Sequence, residues 1–176
     1  YLLNKPRQVI SSVEDKLGRI TVRDLINTEA RIYPVGRLDY DTTGLIILTN
    51  DGDFANMLMH PSYEIEKTYV AKINKILDKD DINKLKKGIV IDNRKVDIKR
   101  FKIRKKDVEK NTSIIELTIV EGRNHIVKKI FESMRIDVIK LSRVSYAFLT
   151  LDGLKSGEYR KLSIKEIKRL YALKKC

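Results

Sequence analysis

Apolar residues in this chain recur in two rhythms, and the change from one to the other marks out its elements. Alternation with period two, which turns every second side chain toward a core, predicts half-buried strands. It appears where Ile65, Lys67, Tyr69, Ala71 and Ile73 alternate with Glu66, Thr68, Val70 and Lys72, and again at Ile115, Leu117 and Ile119. Leu2 with Leu3, and Val9 with Ile10, read as short strands separated by the Lys5-Pro6 turn. Residues 45–49 read as a buried strand ended by Asn50-Asp51-Gly52, and 138–144 as a later one. Residues 89–91 and 96–103 flank Asp92-Asn93-Arg94, which predicts a hairpin or connecting turn.

The helical rhythm is carried by shorter stretches with start and stop signals. Thr21 is placed to cap a short helix through Ile26. Phe54, Met57 and Leu58 have helical spacing up to His60-Pro61, where proline stops it. Asp78 opens a helix that Gly88 closes. Val127, Ile130, Phe131 and Met134 stand at i, i+3, i+4 and i+7, one face of a helix. Ser163 with Glu166 forms a capping box for a final helix carrying Ile164, Ile167, Leu170 and Tyr171. Strands outnumber helices, and several are joined by turns too short for a helical crossover. That predicts an α+β fold: a mixed, mainly antiparallel sheet with flanking helices.

Length adds that 1–176 suits one domain with room for two lobes, and no repeat, linker or low-complexity block divides it. Charge adds more. Lys and Arg number 37 against 24 Asp and Glu, a formal +13, which favours a polyanionic partner without saying which. Residues 99–110 hold seven basic and two acidic side chains, and Lys84, Lys86 and Lys87 add to the field. Lys129, Arg135, Lys140 and Arg143 lie on and after the helix at 127–134, and such clusters suit phosphate tracking, although a solvated face would look the same. Cys176 is the single cysteine, so no intrachain disulfide forms, which fits a reducing, cytoplasmic setting. His60 and His125 stand far apart, which argues against a zinc site, and no apolar run is long enough to span a bilayer. The chain opens on Tyr1 and runs directly into apolar residues, which reads as a fragment whose true N-terminus lies upstream.

The densest local signal is Gly36-Arg37-Leu38-Asp39-Tyr40-Asp41-Thr42-Thr43-Gly44, directly before the strand at 45–49. Glycines bracket a stretch of charged and hydroxyl side chains, which is what a rigid active-site loop needs. Three readings fit the residues alone. The loop is a catalytic one built on Asp39, or a surface turn satisfying its own backbone, or a metal pair of Asp39 and Asp41, the last weakened by the lack of a further carboxylate cluster.

The pattern Gly36-Arg37-Leu38-Asp39, Thr42-Thr43-Gly44-Leu45, Leu48-Thr49-Asn50-Asp51-Gly52 resembles the central motif of the pseudouridine synthases, in their RsuA/RluB group. Four further matches follow in the expected order. They are Asn4-Lys5-Pro6, Lys67-Thr68-Tyr69, Glu121-Gly122-Arg123-Asn124-His125 and Gly157-Glu158-Tyr159-Arg160, so the likeness spans nearly the whole chain. Within the group it is nearest to the RluB-like enzymes of large-subunit ribosomal RNA. It implies the pseudouridine synthase fold with an active-site cleft across the sheet; the group usually carries a small RNA-binding S4 domain before it, and any such domain would lie upstream of Tyr1.

The resemblance also implies roles. Asp39 is the essential carboxylate, attacking or stabilising the ribose while the glycosidic bond breaks and uracil rejoins through carbon. Tyr69 packs against the target base and takes part in proton removal. Lys128 stands where the group has its basic residue, commonly Arg, paired with the carboxylate, so bidentate geometry is lost here. Ile126 stands where the group often has Gln. Arg37 helps open the RNA helix, Lys67 supports the site, and Arg123, Asn124 and His125 lie in the motif expected at the RNA. No cofactor and no metal are expected, the partner is ribosomal RNA rather than a membrane, and the enzyme is expected to act as a monomer. Two other functions stay open at this point: a non-catalytic basic RNA-binding or ribosome-assembly module, and a synthase of small-subunit RNA.

Overall fold

A computed structural model describes residues 1–174, so Cys176 lies outside the described residues. The chain forms two compact units, Tyr1–Ile65 together with the segment from Ser145 onward, and Glu66–Val144. The first unit holds strands β1 (Leu2–Lys5), β2 (Tyr33–Val35) and β3 (Thr43–Thr49), then helix α1 (Gly52–Met59) and a 3-10 turn, Pro61–Tyr63. The second holds β4 (Lys67–Ile73), α2 (Lys79–Lys87), β5 (Ile89–Ile91), β6 (Arg94–Val96), β7 (Ile98–Asp107), β8 (Thr112–Ile119) and α3 (Ile126–Ser133). Strand β9 (Val138–Tyr146) carries the chain back to the first unit, which ends with β10 (Leu149–Thr150), β11 (Tyr159–Arg160) and α4 (Ile164–Tyr171). All strand pairs described below are antiparallel, so the expected α+β class holds.

In the first unit β3 is the hub. Leu45, Ile46, Ile47 and Leu48 are all buried, the continuous apolar run of a strand covered on both faces. Strand β1 pairs with it through Leu2↔Ile47 and Lys5↔Gly44, β2 pairs through Tyr33↔Thr49, and β11 lies along the far side of β1. Helix α1 begins where the Asp51 carboxylate accepts the Phe54 amide at 3.1 Å. It buries Phe54, Ala55, Met57 and Leu58 against Leu2, Leu45, Ile47 and Tyr146. Pro61 ends it, and the carbonyl of Leu58 is satisfied by the Tyr146 hydroxyl at 2.8 Å. Ser163 and Glu166 form the expected capping box of α4, whose Leu170 reaches the same core.

In the second unit β8 is central, paired with β4 (Tyr69↔Leu117, Ala71↔Ile115) and with β7 (Phe101↔Leu117, Ile103↔Ile115). Asp78 and Asp81 cap α2 reciprocally, and Gly88 closes it at φ +84°. Conformation decides that glycine, and a Cβ there would also lie 3.0 Å from the Val96 carbonyl oxygen and displace the end of the Lys95 side chain. Strands β5 and β6 form a hairpin through Asp92 and Asn93, both at positive φ, as a two-residue turn matched to strand twist requires. Helix α3 buries Ile126, Val127, Ile130 and Phe131.

Three sequence expectations change. Thr21 and Asp24 do exchange capping bonds, Thr21 N to Asp24 Oδ2 at 2.9 Å and Asp24 N to Thr21 Oγ1 at 3.3 Å, but only turns follow through Ile26. The five residues after the cap leave room for little more than one helical turn. The carbonyls of Ile26, Thr28 and Ala30 accept the Arg23 guanidinium instead. Val9 and Ile10 form no strand beyond an isolated Ile10↔Thr21 bridge. The run at 96–103 is two strands, parted at Asp97.

Candidate active site

The loop holding Asp39 is fixed through its backbone. It leaves β2 at Gly36 (φ +73°) and enters β3 through Gly44 (φ +114°), two conformations open to glycine at little cost. Thr42 N donates to the Asp39 carbonyl at 3.0 Å, Gln8 N to the Tyr40 carbonyl at 2.8 Å, and the Ser11 hydroxyl bonds both the carbonyl and the amide of Leu38. Beneath the loop lies Lys5, with no exposed surface. Its ammonium donates to the carbonyls of Thr42 (2.7 Å), Pro6 (3.0 Å) and Tyr40 (3.4 Å). Burial lowers the Lys5 pKa to about 8, and the negative charges of Asp39 and Asp41 work against that drop. Asp39 itself is half-buried, whereas Asp41 is exposed and 4.0 Å from Arg7. Arg37 is exposed beside Asp39. The Thr42 hydroxyl is buried with no hydrogen-bond partner among the described residues.

Of the sequence-named residues, Arg37 and Asp39 belong to this first unit and the others to the second. Lys67 and Tyr69 share one face of β4, with Tyr69 buried opposite Leu117. Burial, and then the Arg143 charge, lower the Lys67 pKa to about 8, while Glu121 opposes the shift. Asn124 and His125 are exposed in the approach to α3, and His125 takes the left-handed conformation (φ +54°) as its N-cap residue. Lys128 is half-buried in the first turn of α3. Arg123 is committed inside the unit: it binds Glu121, and donates to the Ile91 carbonyl at 2.7 Å and the Arg94 carbonyl at 3.4 Å.

Two basic residues near α3 differ from the phosphate-tracking picture. Arg143 is buried, at 3% exposure, and Lys129 is paired with Asp92 at 3.0 Å. Lys5 is the residue holding the loop that spacing alone did not flag. The one sign was a lysine continuing the apolar run Leu2-Leu3 into a strand, inside Asn4-Lys5-Pro6. A cavity of about 410 Å³ in the first unit is lined by Tyr1, Leu48, Asp51, Phe54, Lys161 and Tyr171 among others and takes no residue of 36–44. No group of three or more His, Cys, Asp or Glu among the described residues could hold a metal ion. No described helix is long and apolar enough to cross a membrane.

Comparison with known proteins points to one enzyme class. The profile of that class, RNA pseudouridylate synthase, matches residues 1–133, and the chain belongs to this family. Ribosomal large subunit pseudouridine synthase B of Bacillus subtilis (strain 168) is 53% identical over 174 residues, covering 98% of this chain and 71% of the relative. An uncharacterized RNA pseudouridine synthase of Aquifex aeolicus (strain VF5) is 35% identical over 172 residues, covering 97% and 68%. A crystal structure of a pseudouridylate synthase matches at TM-score 0.80 and 31% identity, covering 96% of this chain and 72% of that one. The family, fold and enzyme class expected from the motifs therefore stand.

Proposed function

We propose that this chain isomerises one uridine of large-subunit ribosomal RNA to pseudouridine, with Asp39 as the catalytic carboxylate. The target is the finer part of the reading, and the 53% identity to a large-subunit enzyme supports it. The observation that carries the role of Asp39 is the clamped loop: its neighbours' carbonyls are held by the buried Lys5, so the carboxylate is presented from a fixed backbone.

In the reaction the bond from ribose C1′ to uracil N1 breaks and one from C1′ to C5 forms. The C5 proton leaves and N1 takes one up, so the base returns as an isomer and no electrons or groups are lost. Asp39 acts as nucleophile toward C1′ or as the counter-charge to a developing ribose cation. Tyr69 packs on the base and takes part in the proton loss, and Lys67 supports it. Lys128 is the basic residue that the resemblance assigns as partner to the carboxylate. Arg37, Asn124 and His125 contact RNA, and Arg123 shapes the loop that presents the last two. The uridine must leave its stack, which costs roughly a few kcal/mol. The enzyme acts in the cytoplasm as a monomer and needs no cofactor.

Asp39→Asn and Asp39→Ala should fold and bind a large-subunit RNA fragment yet form no pseudouridine, assayed in excess EDTA on pre-folded RNA. Turnover above trace level in either would remove Asp39 from its role. Lys128→Met should lower turnover sharply with RNA affinity largely kept. Pseudouridine mapping of both ribosomal RNAs in cells lacking the gene locates the target, and a lost site in small-subunit RNA would overturn the large-subunit assignment.

A further inference from the structure

The chain's positive charge is concentrated in one of its two units. Glu66–Val144 holds 22 Lys and Arg against 12 Asp and Glu, ten of the chain's surplus of thirteen. Much of that excess follows strand β7, which pairs on one side with β8 and forms the edge of its sheet. The register shifts between Ile98 and Arg100 and between Ile103 and Lys105, so Lys99 and Arg104 are extra residues at two bulges. The bulges sort the side chains. Ile98, Phe101 and Ile103 stand opposite the buried Ile119, Leu117 and Ile115, while Arg100, Lys102 and Lys105 stand opposite Thr118, Glu116 and Ile114 on the other face.

Lys99 is neutralised by Asp97 at 2.8 Å and Arg100 by Glu66 at 2.6 Å. The excess therefore lies further along, at Lys102, Arg104, Lys105 and Lys106, all exposed. Helix α2 packs against β7 and brings the exposed Lys84, Lys86 and Lys87 of its last turn to the same strand, and Lys95 lies over Gly88 at the helix end. Lysines on an edge strand also protect it from pairing with another chain. Protection, however, works with charge of either sign and needs one or two residues. From Ile98 to Lys106 there are six cations and no carboxylate, and the neighbouring helix repeats the sign.

We infer that the β7 edge, with the last turn of α2, is a docking surface for the phosphate backbone of the RNA helix that flanks the target uridine. The inference rests on the RNA-modifying function proposed above and adds where, outside the catalytic residues, the RNA is held. From Lys102 to Lys106 the edge runs roughly 13 Å at about 3.3 Å per residue, long enough to meet several phosphates of one strand. Its contacts read no sequence; they position the helix.

The test uses the full chain and a ribosomal RNA fragment containing the uridine. Lys102→Gln, Arg104→Gln, Lys105→Gln and Lys106→Gln are combined in one variant. Lys84→Gln, Lys86→Gln and Lys87→Gln are combined in a second, on a helix whose propensity glutamine keeps. A control changes Lys16, Lys165 and Lys168 of the first unit to Gln. The expected result is a plot of log affinity against log salt flatter by about three in the β7 variant, flatter also in the α2 variant, and unchanged in the control. KM should rise at least tenfold in the β7 variant with kcat at saturating RNA unchanged. A perfect RNA duplex should compete for binding and an unstructured single strand should not. An unchanged slope in the α2 and β7 variants, an equal flattening in the control, or competition by the single strand alone would overturn the inference. Should the unmodified protein form no pseudouridine, the proposed reaction fails, while the salt slopes still decide whether this edge holds RNA.

Discussion

Lys5 illustrates how one side chain can hold a loop and load it electrically at once. A buried ammonium is unfavourable, as its pKa of about 8 records, yet it satisfies three carbonyls around the Asp39 loop. Lys5→Met removes the donor and the desolvated charge together, so the two effects partly offset in stability. The expected loss is about 1–2 kcal/mol in a urea melt. Turnover should fall far more, at least tenfold, because the backbone presenting Asp39 is released. Lys5→Arg should not restore it, since a guanidinium fork does not fit a site shaped around one nitrogen. Thr42 behaves oppositely. With its buried hydroxyl unpartnered, it gains nothing from the oxygen, so nothing stored there would be lost with it.

At the scale of elements, what the sequence declares depends on whether the signal is local. Helices α2 and α4 are readable because Asp78 and Ser163 cap them in sequence as in space, and α1 through the spacing of Phe54, Met57 and Leu58, its cap Asp51 reading only as part of a turn. The Thr21–Asp24 exchange shows the limit, since a cap without enough following residues gives only turns. Strands β2, β10 and β11 are two or three residues long and exist only through their partners, so no periodicity could announce them. The bulges of β7 were hidden for the same reason. Arg123 belongs here too. Its motif marked it as a site residue, but its bonds to Ile91 and Arg94 make it the tie between the β5–β6 hairpin and the approach to α3. Arg123→Ala should destabilise by about 2 kcal/mol and raise hydrogen exchange of the amides from Val90 to Lys95. If exchange there is unchanged while RNA affinity drops, the residue faces the RNA instead.

For the molecule as a whole, the two low-pKa lysines set a pH dependence of stability. Lys5 and Lys67 both have folded values of about 8, below the ordinary 10.5. The unfolded chain thus holds these protons more tightly than the folded one. Below pH 8 the cost of their burial is fully present, and it is relieved as pH rises from 8 toward 10.5, so stability should increase across that window. Denaturant midpoints at pH 7, 8, 9 and 9.5 measure it. Lys67→Met should show a shallower rise, having lost one of the two groups, and a fall in stability over this window would contradict both shifts. The Asp39 loop was legible through its glycines and its family pattern. Its support was not, because Lys5 and Thr42 are 37 positions apart and meet only in the folded chain.

The burial of Lys5 has a use for whoever watches this enzyme move. Near pH 8 about half of its amines are in the neutral, nucleophilic form, whereas an ordinary lysine is almost wholly protonated. Toward an acylating reagent it is therefore the intrinsically faster lysine, and the closed fold withholds it from the reagent entirely. Its labelling should be slow in the resting protein and should accelerate only when the loop over it lifts. Followed by peptide mass spectrometry, acylation of Lys5 becomes a clock for opening of the Asp39 loop, with every exposed lysine of the chain serving as the internal reference.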